Sequence, residues 1–266
     1  MKKYILFIPF LLILLVSCEK ELEFQYHDIV PVLVIEGTLT QERATVALSL
    51  TTPMNEKIEP DYLTDAEVYI IDENNNGKIV LTHDSIGVYT GDYPATPGKQ
   101  YRLVVNRFGK EYRSNCVLRP STQILGLKFQ WIKMPYDHVA VLQITFKDLK
   151  NDEDCYWVKI YRNDSPYKWI LSDDRSAVNG IITESVMTSR KDLDKEDDKD
   201  ILREGDEVKV TVNAISREMY DYLTAIQNNS NGPSMFEGEF CLGYFMAADS
   251  ATDSIIFHPD ELTQYP

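Results

Sequence analysis

Apolar and polar residues alternate along most of this chain with the period of two that lets a β-strand bury one face and expose the other. Val46, Leu48 and Leu50 alternate with Ala47 and Ser49, and Leu142, Ile144 and Phe146 alternate with Gln143 and Thr145. In the first half, strand-like runs at 32–37, 44–50, 66–71, 79–81, 86–89, 101–105 and 111–114 are separated by turn residues. Asn76-Gly77 marks a hairpin, because a tight reversal needs positive φ, and Pro97-Gly98-Lys99 marks a further turn. Pro120-Ser121-Thr122 forms a seam, after which runs at 124–131, 139–146, 156–161, 168–171 and 208–212 resume the pattern. One stretch changes period. Met219, Tyr222, Leu223 and Ile226 fall at i, i+3, i+4 and i+7 behind Ser216, a residue able to cap a first turn, and this predicts a helix over about residues 216–228.

Short strands at close spacing, with so little helix, predict an all-β (mainly β) protein of two β-sandwich domains. The first, residues 29–119, is expected to be immunoglobulin-like or prealbumin-like. The second, residues 120–266, is expected to carry the one accessory α-helix packed across an open edge or end.

The amino terminus reads differently. Met1-Lys2-Lys3 is positive, residues 5–16 are apolar apart from Pro9, and Leu15-Val16-Ser17-Cys18 follows. A bilayer-spanning helix needs about 20 apolar residues, whereas an export signal needs an apolar stretch of about 7–15. The residues ending in Cys18 resemble the bacterial lipobox, in which the cysteine takes a diacylglycerol thioether and becomes the first residue of the mature chain. Residues 1–17 are therefore expected to be a lipoprotein signal peptide and residues 18–28 a lipidated tether. Acylated Cys18 would hold the protein to outer-membrane lipid, since each buried methylene contributes about 0.8 kcal/mol and several chains on one cysteine anchor far more firmly than one. Glu19-Lys20-Glu21-Leu22-Glu23 resembles the export signal of surface lipoproteins and reads equally well as a short solvated tether.

Composition narrows the classes. Hydrophobic residues make up 44% of the 266 and aromatics 11%, enough for packed cores, which excludes a disordered or collagen-like chain. A formal charge of −15 opposes contact with phosphate backbones, so no nucleic-acid partner is expected. His27, His83, His138 and His258 show no metal-ligand spacing, and neither a metal nor any other cofactor is expected. Asp72-x-Asn74-x-Asn76-Gly77 copies the opening of a calcium loop, but Val80 and His83 stand where later ligands belong, and a hairpin explains the same residues. The acidic run 191–200 and Asp152-Glu153-Asp154 read as solvated loops. No nucleophile elbow or phosphate loop is present, so no catalytic residue is named and no enzyme is expected.

Beyond Cys18 three cysteines remain. A bridge between Cys116 and Cys155 would staple the two sandwiches, while three small buried thiols are the reading slightly preferred. Trp131, Trp157, Trp169, Tyr156, Tyr161 and Tyr167 crowd the second half. Tyr156, Val158 and Ile160 share one strand face and Trp157 and Tyr161 the other, so most of these rings are expected in the core, with any exposed remainder available to a sugar or a protein partner.

Several pieces in order resemble one family, the Bacteroidetes lipoproteins grouped as domain of unknown function 4249. They are the lipobox, Val34-Ile35-Glu36-Gly37, Gly87-x-Tyr89, Gly98-Lys99-x-Tyr101, Tyr112-x-Ser114, the helix with Tyr220-x-Tyr222-Leu223, Gly238, and Leu242-Gly243-Tyr244-Phe245. The chain departs from the pattern at Phe236-Glu237-Gly238-Glu239-Phe240-Cys241, where a small polar or glycine stretch is expected. The resemblance implies a lipid-anchored outer-membrane protein facing the cell surface. It would be a non-catalytic accessory or ligand-capture partner of a TonB-dependent transporter. A free-standing carbohydrate-binding, peptide-binding or adhesion lipoprotein is the alternative, with a hydrolase third.

Overall fold

The computed structural model describes residues 30–52, 62–83, 87–135, 137–150, 153–190, 201–262 and 264–265. The expected signal peptide, the tether with Cys18 and the acidic run 191–200 lie outside the described residues. Among the described residues, no helix is long and apolar enough to cross a membrane.

The fold is mainly β, with sandwich-like sheets and one α-helix. The first seven runs become β1 (Leu33–Leu39), β2 (Arg43–Leu50), β3 (Glu67–Asp72), β4 (Gly77–His83), β5 (Val88–Asp92), β6 (Gln100–Arg107) and β7 (Lys110–Val117). Alternation places Ile35, Val46, Leu48, Ile70 and Leu103 on the inner face, where each is fully buried. In the β3–β4 turn it is Asn76 that takes positive φ, at 57°. The Asp72 carboxylate accepts hydrogen bonds from the Asn74 backbone N–H and from the Tyr93 hydroxyl, both at 2.9 Å, so the calcium-like residues hold a turn.

The second series yields β8 (Ile124–Met134), β9 (Asp137–Lys147), β10 (Cys155–Arg162), β11 (Ser165–Asp173), β12 (Ile181–Arg190) and β13 (Glu207–Ile215), and the helix α1 spans Arg217–Gln227. The Ser216 hydroxyl accepts from the Met219 N–H at 3.1 Å, as expected of an N-cap. Four more strands complete the chain: β14 (Glu237–Gly238), β15 (Leu242–Ala247), β16 (Ser250–Ile256) and β17 (Gln264–Tyr265). These four and β12 have no counterpart in the sequence reading. Two four-stranded sheets, ordered β11-β10-β13-β16 and β12-β9-β8-β17, enclose a core that includes Phe129, Leu142, Phe146, Tyr156, Val158 and Val212.

Residues 237–247 fall within the span expected to form the second sandwich, yet both of their strands join the first sheet. Its order is β14-β7-β6-β3-β4-β5-β2-β1-β15. β15 runs parallel to β1 with Gly243 opposite Ile35, and β14 pairs antiparallel with β7. At the end of β15 the Ala248 N–H donates to the Leu39 carbonyl and the Arg119 N–H donates to the Ala247 carbonyl, both at 3.0 Å. Two glycines permit this return. Gly243 (φ 106°) lies so close to β1 that a Cβ would sit 2.0 Å from the Ile35 oxygen, and at Gly238 (φ 100°) a Cβ would sit 2.2 Å from the Glu111 oxygen. Phe236 and Cys241, in the stretch that departs from the family pattern, flank β14 and bury themselves in the first core.

Cys116, Cys155 and Cys241 are free thiols in the structure, and no bridge joins Cys116 to Cys155. The two belong to different clusters: Cys116 packs against the first core, and Cys155 lies with Ile215, Met219 and Leu223 near α1.

Replacing Gly243 with Ala should destabilise the protein by about 3 kcal/mol or more in urea unfolding, because positive φ and a backbone clash combine. Ser216→Ala, which removes only the cap, should cost about 1 kcal/mol by the same measurement.

Candidate ligand-binding face

Tyr156, Val158 and Ile160 of β10 and Val208, Val210, Val212 and Ala214 of β13 point into the second core. The residues between them therefore share the outer face, and the register sets them in rows. Cys155 pairs with Ile215, Trp157 with Asn213, Lys159 with Thr211, and Tyr161 with Lys209. β11 extends two rows with Leu171 beside Trp157 and Trp169 beside Lys159. On the other side β16 places Ser250 beside Asn213 and Thr252 beside Thr211.

These rows grade from dry to wet. Cys155 and Ile215 are sealed by Met219 and Leu223 of α1 and by Met246 and Ala248. In the next row the Trp157 ring meets Trp169 edge-on at 6.1 Å and Tyr244 at 5.8 Å. Tyr244 is carried by β15, so the returning strand supplies one wall. Tyr222 of α1 lies 6.5 Å from Tyr244, and its hydroxyl accepts the Gly243 N–H at 3.1 Å. Burial, with the negative charge of Glu36 adding to it, raises the Tyr244 phenol above its ordinary range. At the open end Lys209 is ion-paired with Asp164.

Lys159 differs from Lys209. Its ammonium stands 4.4 Å over the Trp157 ring centroid, and among the described residues no carboxylate pairs with it. Burial pushes it below the usual lysine range.

Among the described residues, five buried side-chain polar atoms lack a hydrogen bond. Two of these still have ion-pair partners: Glu73 Oε1 lies 3.1 Å from Arg102, and Arg113 Nε lies 3.4 Å from Glu111. The other three are Trp157 Nε1, Thr211 Oγ1 and Asn213 Oδ1, all in adjacent rows of this one face. Trp157 is 9% exposed and Asn213 1%, so both are at least nine-tenths buried. Asn213 spends its Nδ2 on the Ser250 hydroxyl at 2.6 Å, leaving its oxygen as an acceptor. Each orphan costs about 1–3 kcal/mol unless something pairs with it. Together the atoms offer donors from Trp157 and Lys159, an acceptor from Asn213, and either from Thr211, around aromatic rings. The Trp157, Thr211 and Asn213 atoms have almost no accessible surface, so they sit beneath the face rather than open to solvent.

Other expected aromatics are ordinary core. The Trp131 Nε1–H donates to the Pro259 carbonyl at 3.0 Å, the Tyr167 hydroxyl to the Thr188 carbonyl at 2.9 Å, and the Tyr156 hydroxyl to Asp148 at 2.8 Å. Of the six rings named from sequence, Trp157, Trp169 and Tyr161 meet on the face, while Lys159, Thr211, Asn213 and Tyr244 went unnamed. Their signal was the polar alternation in Val208-Lys209-Val210-Thr211-Val212-Asn213, which reads as ordinary solvated surface until β15 and α1 are laid beside it. Burial pushes the Cys155 thiol up to about 11 and the Cys241 thiol up to about 12, so both are protonated at neutral pH.

Lys159→Met should raise the unfolding midpoint, because it removes a desolvated charge. The sign follows from linkage: with the folded-state pKa below the ordinary 10.5, the unfolded chain binds more protons in between, so the penalty is full at neutral pH and fades as pH rises. Urea unfolding at about pH 7 and about pH 10 should therefore show the gain shrinking at the higher pH.

No curated protein matches this chain. Among solved structures, a segment of two fibronectin type III domains from chicken tenascin aligns over 86% of this chain and 100% of its own, at 10% identity and a TM-score of 0.25. A DUF3823 family protein from Parabacteroides merdae aligns over 70% of this chain and 92% of its own, at 8% identity and a TM-score of 0.23. At such scores neither informs the site. The family match is of another order, because it spans residues 19–254, from the expected tether through β1, α1 and the returning β15 to β16. The chain therefore belongs to the family described as Domain of unknown function (DUF4249).

Proposed function

We propose that this chain is a non-catalytic ligand-capture protein, held to outer-membrane lipid through acylated Cys18, facing the cell surface and working beside a TonB-dependent transporter. The capture half of this reading is carried by one observation: the three orphaned polar atoms of the described residues share a single aromatic-walled sheet face. These atoms have almost no accessible surface, so a ligand must part the rings over them to recover the hydrogen bonds the folded protein forgoes. The anchor and the transporter rest on the lipobox-like residues 15–18 and on the family resemblance. In this mechanism the sheet holds the ligand rigidly while the transporter supplies the energy for uptake.

Native protein solubilised in mild detergent should carry lipid on Cys18 by mass spectrometry, and crosslinking on intact cells should join it to an outer-membrane barrel. A lipidated protein that stays monomeric and uncrosslinked would favour the free-standing binding or adhesion reading. An unacylated amino terminus would remove the anchor from the proposal.

A further inference from the structure

We infer that one end of the first sheet, carrying Tyr62, Phe108 and Phe240, docks into the interfacial layer of the lipid bilayer that holds acylated Cys18. This rests on the anchor proposed above.

Topology gathers these residues at one place. From β1 across β2, β5, β4, β3 and β6 each neighbouring pair is antiparallel, so the β6–β7 hairpin turns at the end of the sheet where β1 begins. β15 starts there too, with Leu242 opposite Val34, and Tyr62 bridges Ser49 near the end of β2. β14 runs along β7 toward the hairpin, where the Glu239 N–H donates to the Glu111 carbonyl at 3.3 Å, and Phe240 follows. Among the described side chains, Tyr62 (44%), Phe108 (75%) and Phe240 (74%) are the exposed phenylalanine, tyrosine and tryptophan residues, and all three fall at this end.

Phe108 also holds a conformation that its own side chain disfavours. At the hairpin tip Phe108 and Gly109 both take positive φ, 50° and 75°, a geometry that suits Asn-Gly and not a bulky ring. Its only recorded support is the Arg107 guanidinium, 4.4 Å from the ring centroid. A strained ring left in water gives the fold little, and such a feature marks a surface that something outside the fold covers.

A bilayer is the partner that fits. Arg107 is paired with Asp65 at 2.7 Å and Lys110 with Glu239 at 3.4 Å, so the charges beside the rings cancel in a chain where acids outnumber bases 42 to 27. The rings come from three separate segments and line no groove, which suits a fluid interface better than a shaped protein surface. Residues 19–30 alone separate Cys18 from Pro31, which leads into this end of β1, a reach of about 45 Å at full extension. The end with the rings is thus the end to which the anchor is attached.

The test is fluorescence of the full acylated chain in phosphatidylcholine vesicles with or without brominated acyl chains, which quench tryptophan only at bilayer depth. The native Trp131, Trp157 and Trp169 set the baseline. Phe108→Trp and Phe240→Trp should each add emission that shifts to shorter wavelength in plain vesicles and is mostly lost in brominated ones. Lys99→Trp, beside the start of β6 at the opposite end of the sheet, should add emission that neither shifts nor fades. Phe108→Asn suits the turn, so it should raise the urea unfolding midpoint, showing an intact fold, yet weaken the quenching of Phe240→Trp. Unquenched emission from either ring variant on an acylated chain, or equal quenching at both ends, overturns the inference and leaves the anchor standing. A wavelength shift without quenching overturns it as well and assigns this end to a second copy of the chain. Mass spectrometry that finds Cys18 unacylated removes anchor and inference together.

Discussion

The backbone of Gly243 lies nearer to that of Ile35 than any side chain would permit, and the rest of the architecture depends on this contact. It allows β15 to run parallel to β1 and so to close the first sheet with chain that follows the second sandwich strands β8–β13 in sequence. Gly238 does the same for β14 against β7. Tyr222 of α1 then takes the Gly243 N–H, which ties the helix to the returning strand. A parallel pair cannot be made by a hairpin and needs a long connection, and here that connection is residues 40–241, most of the chain.

The candidate face is a product of that return. β10 and β13 alone would present Trp157, Lys159, Thr211 and Asn213 to water, where hydrogen bonds are supplied by solvent. With Tyr244 set beside Trp157 and α1 sealing the row at Cys155 and Ile215, Trp157 and Asn213 become almost fully buried, with Trp157 Nε1 and Asn213 Oδ1 left unpaired. Polar groups taken from water and left unpaired cost stability, as does an ammonium held over an indole without a counter-charge. The two large cores offset that cost. Groups kept at the expense of stability are where recognition is expected to reside, because a well-satisfied surface has little to gain from a ligand.

Much of the fold was legible. Strands such as β2 and β9 bury one face and expose the other, and a period of two reports that directly from residues such as Val46, Leu48 and Leu50. The α1 stripe and its Ser216 cap were equally local. β12 escaped because it places Thr183 and Ser185 outward and the polar Glu184 between the inward Ile182 and Val186, which breaks the apolar alternation, as an edge strand can. β15 escaped for another reason: its inner residues Phe245 and Ala247 serve a core more than a hundred positions earlier, and alternation says nothing about which sheet a strand will join.

The sequence by itself determined the class, the positions of most strands, the one helix and the free choice between a staple and three thiols, because each follows from neighbours within a few residues. Even Gly238 and Gly243 stood out in it, though only as family signposts. Tertiary structure alone decided that those glycines are close-approach points, that Cys116 and Cys155 belong to different clusters, and that an ordinary polar alternation on β13 is a buried, unsatisfied surface. Burial and pairing depend on which distant segment arrives to exclude water, and that is a property of the assembled chain.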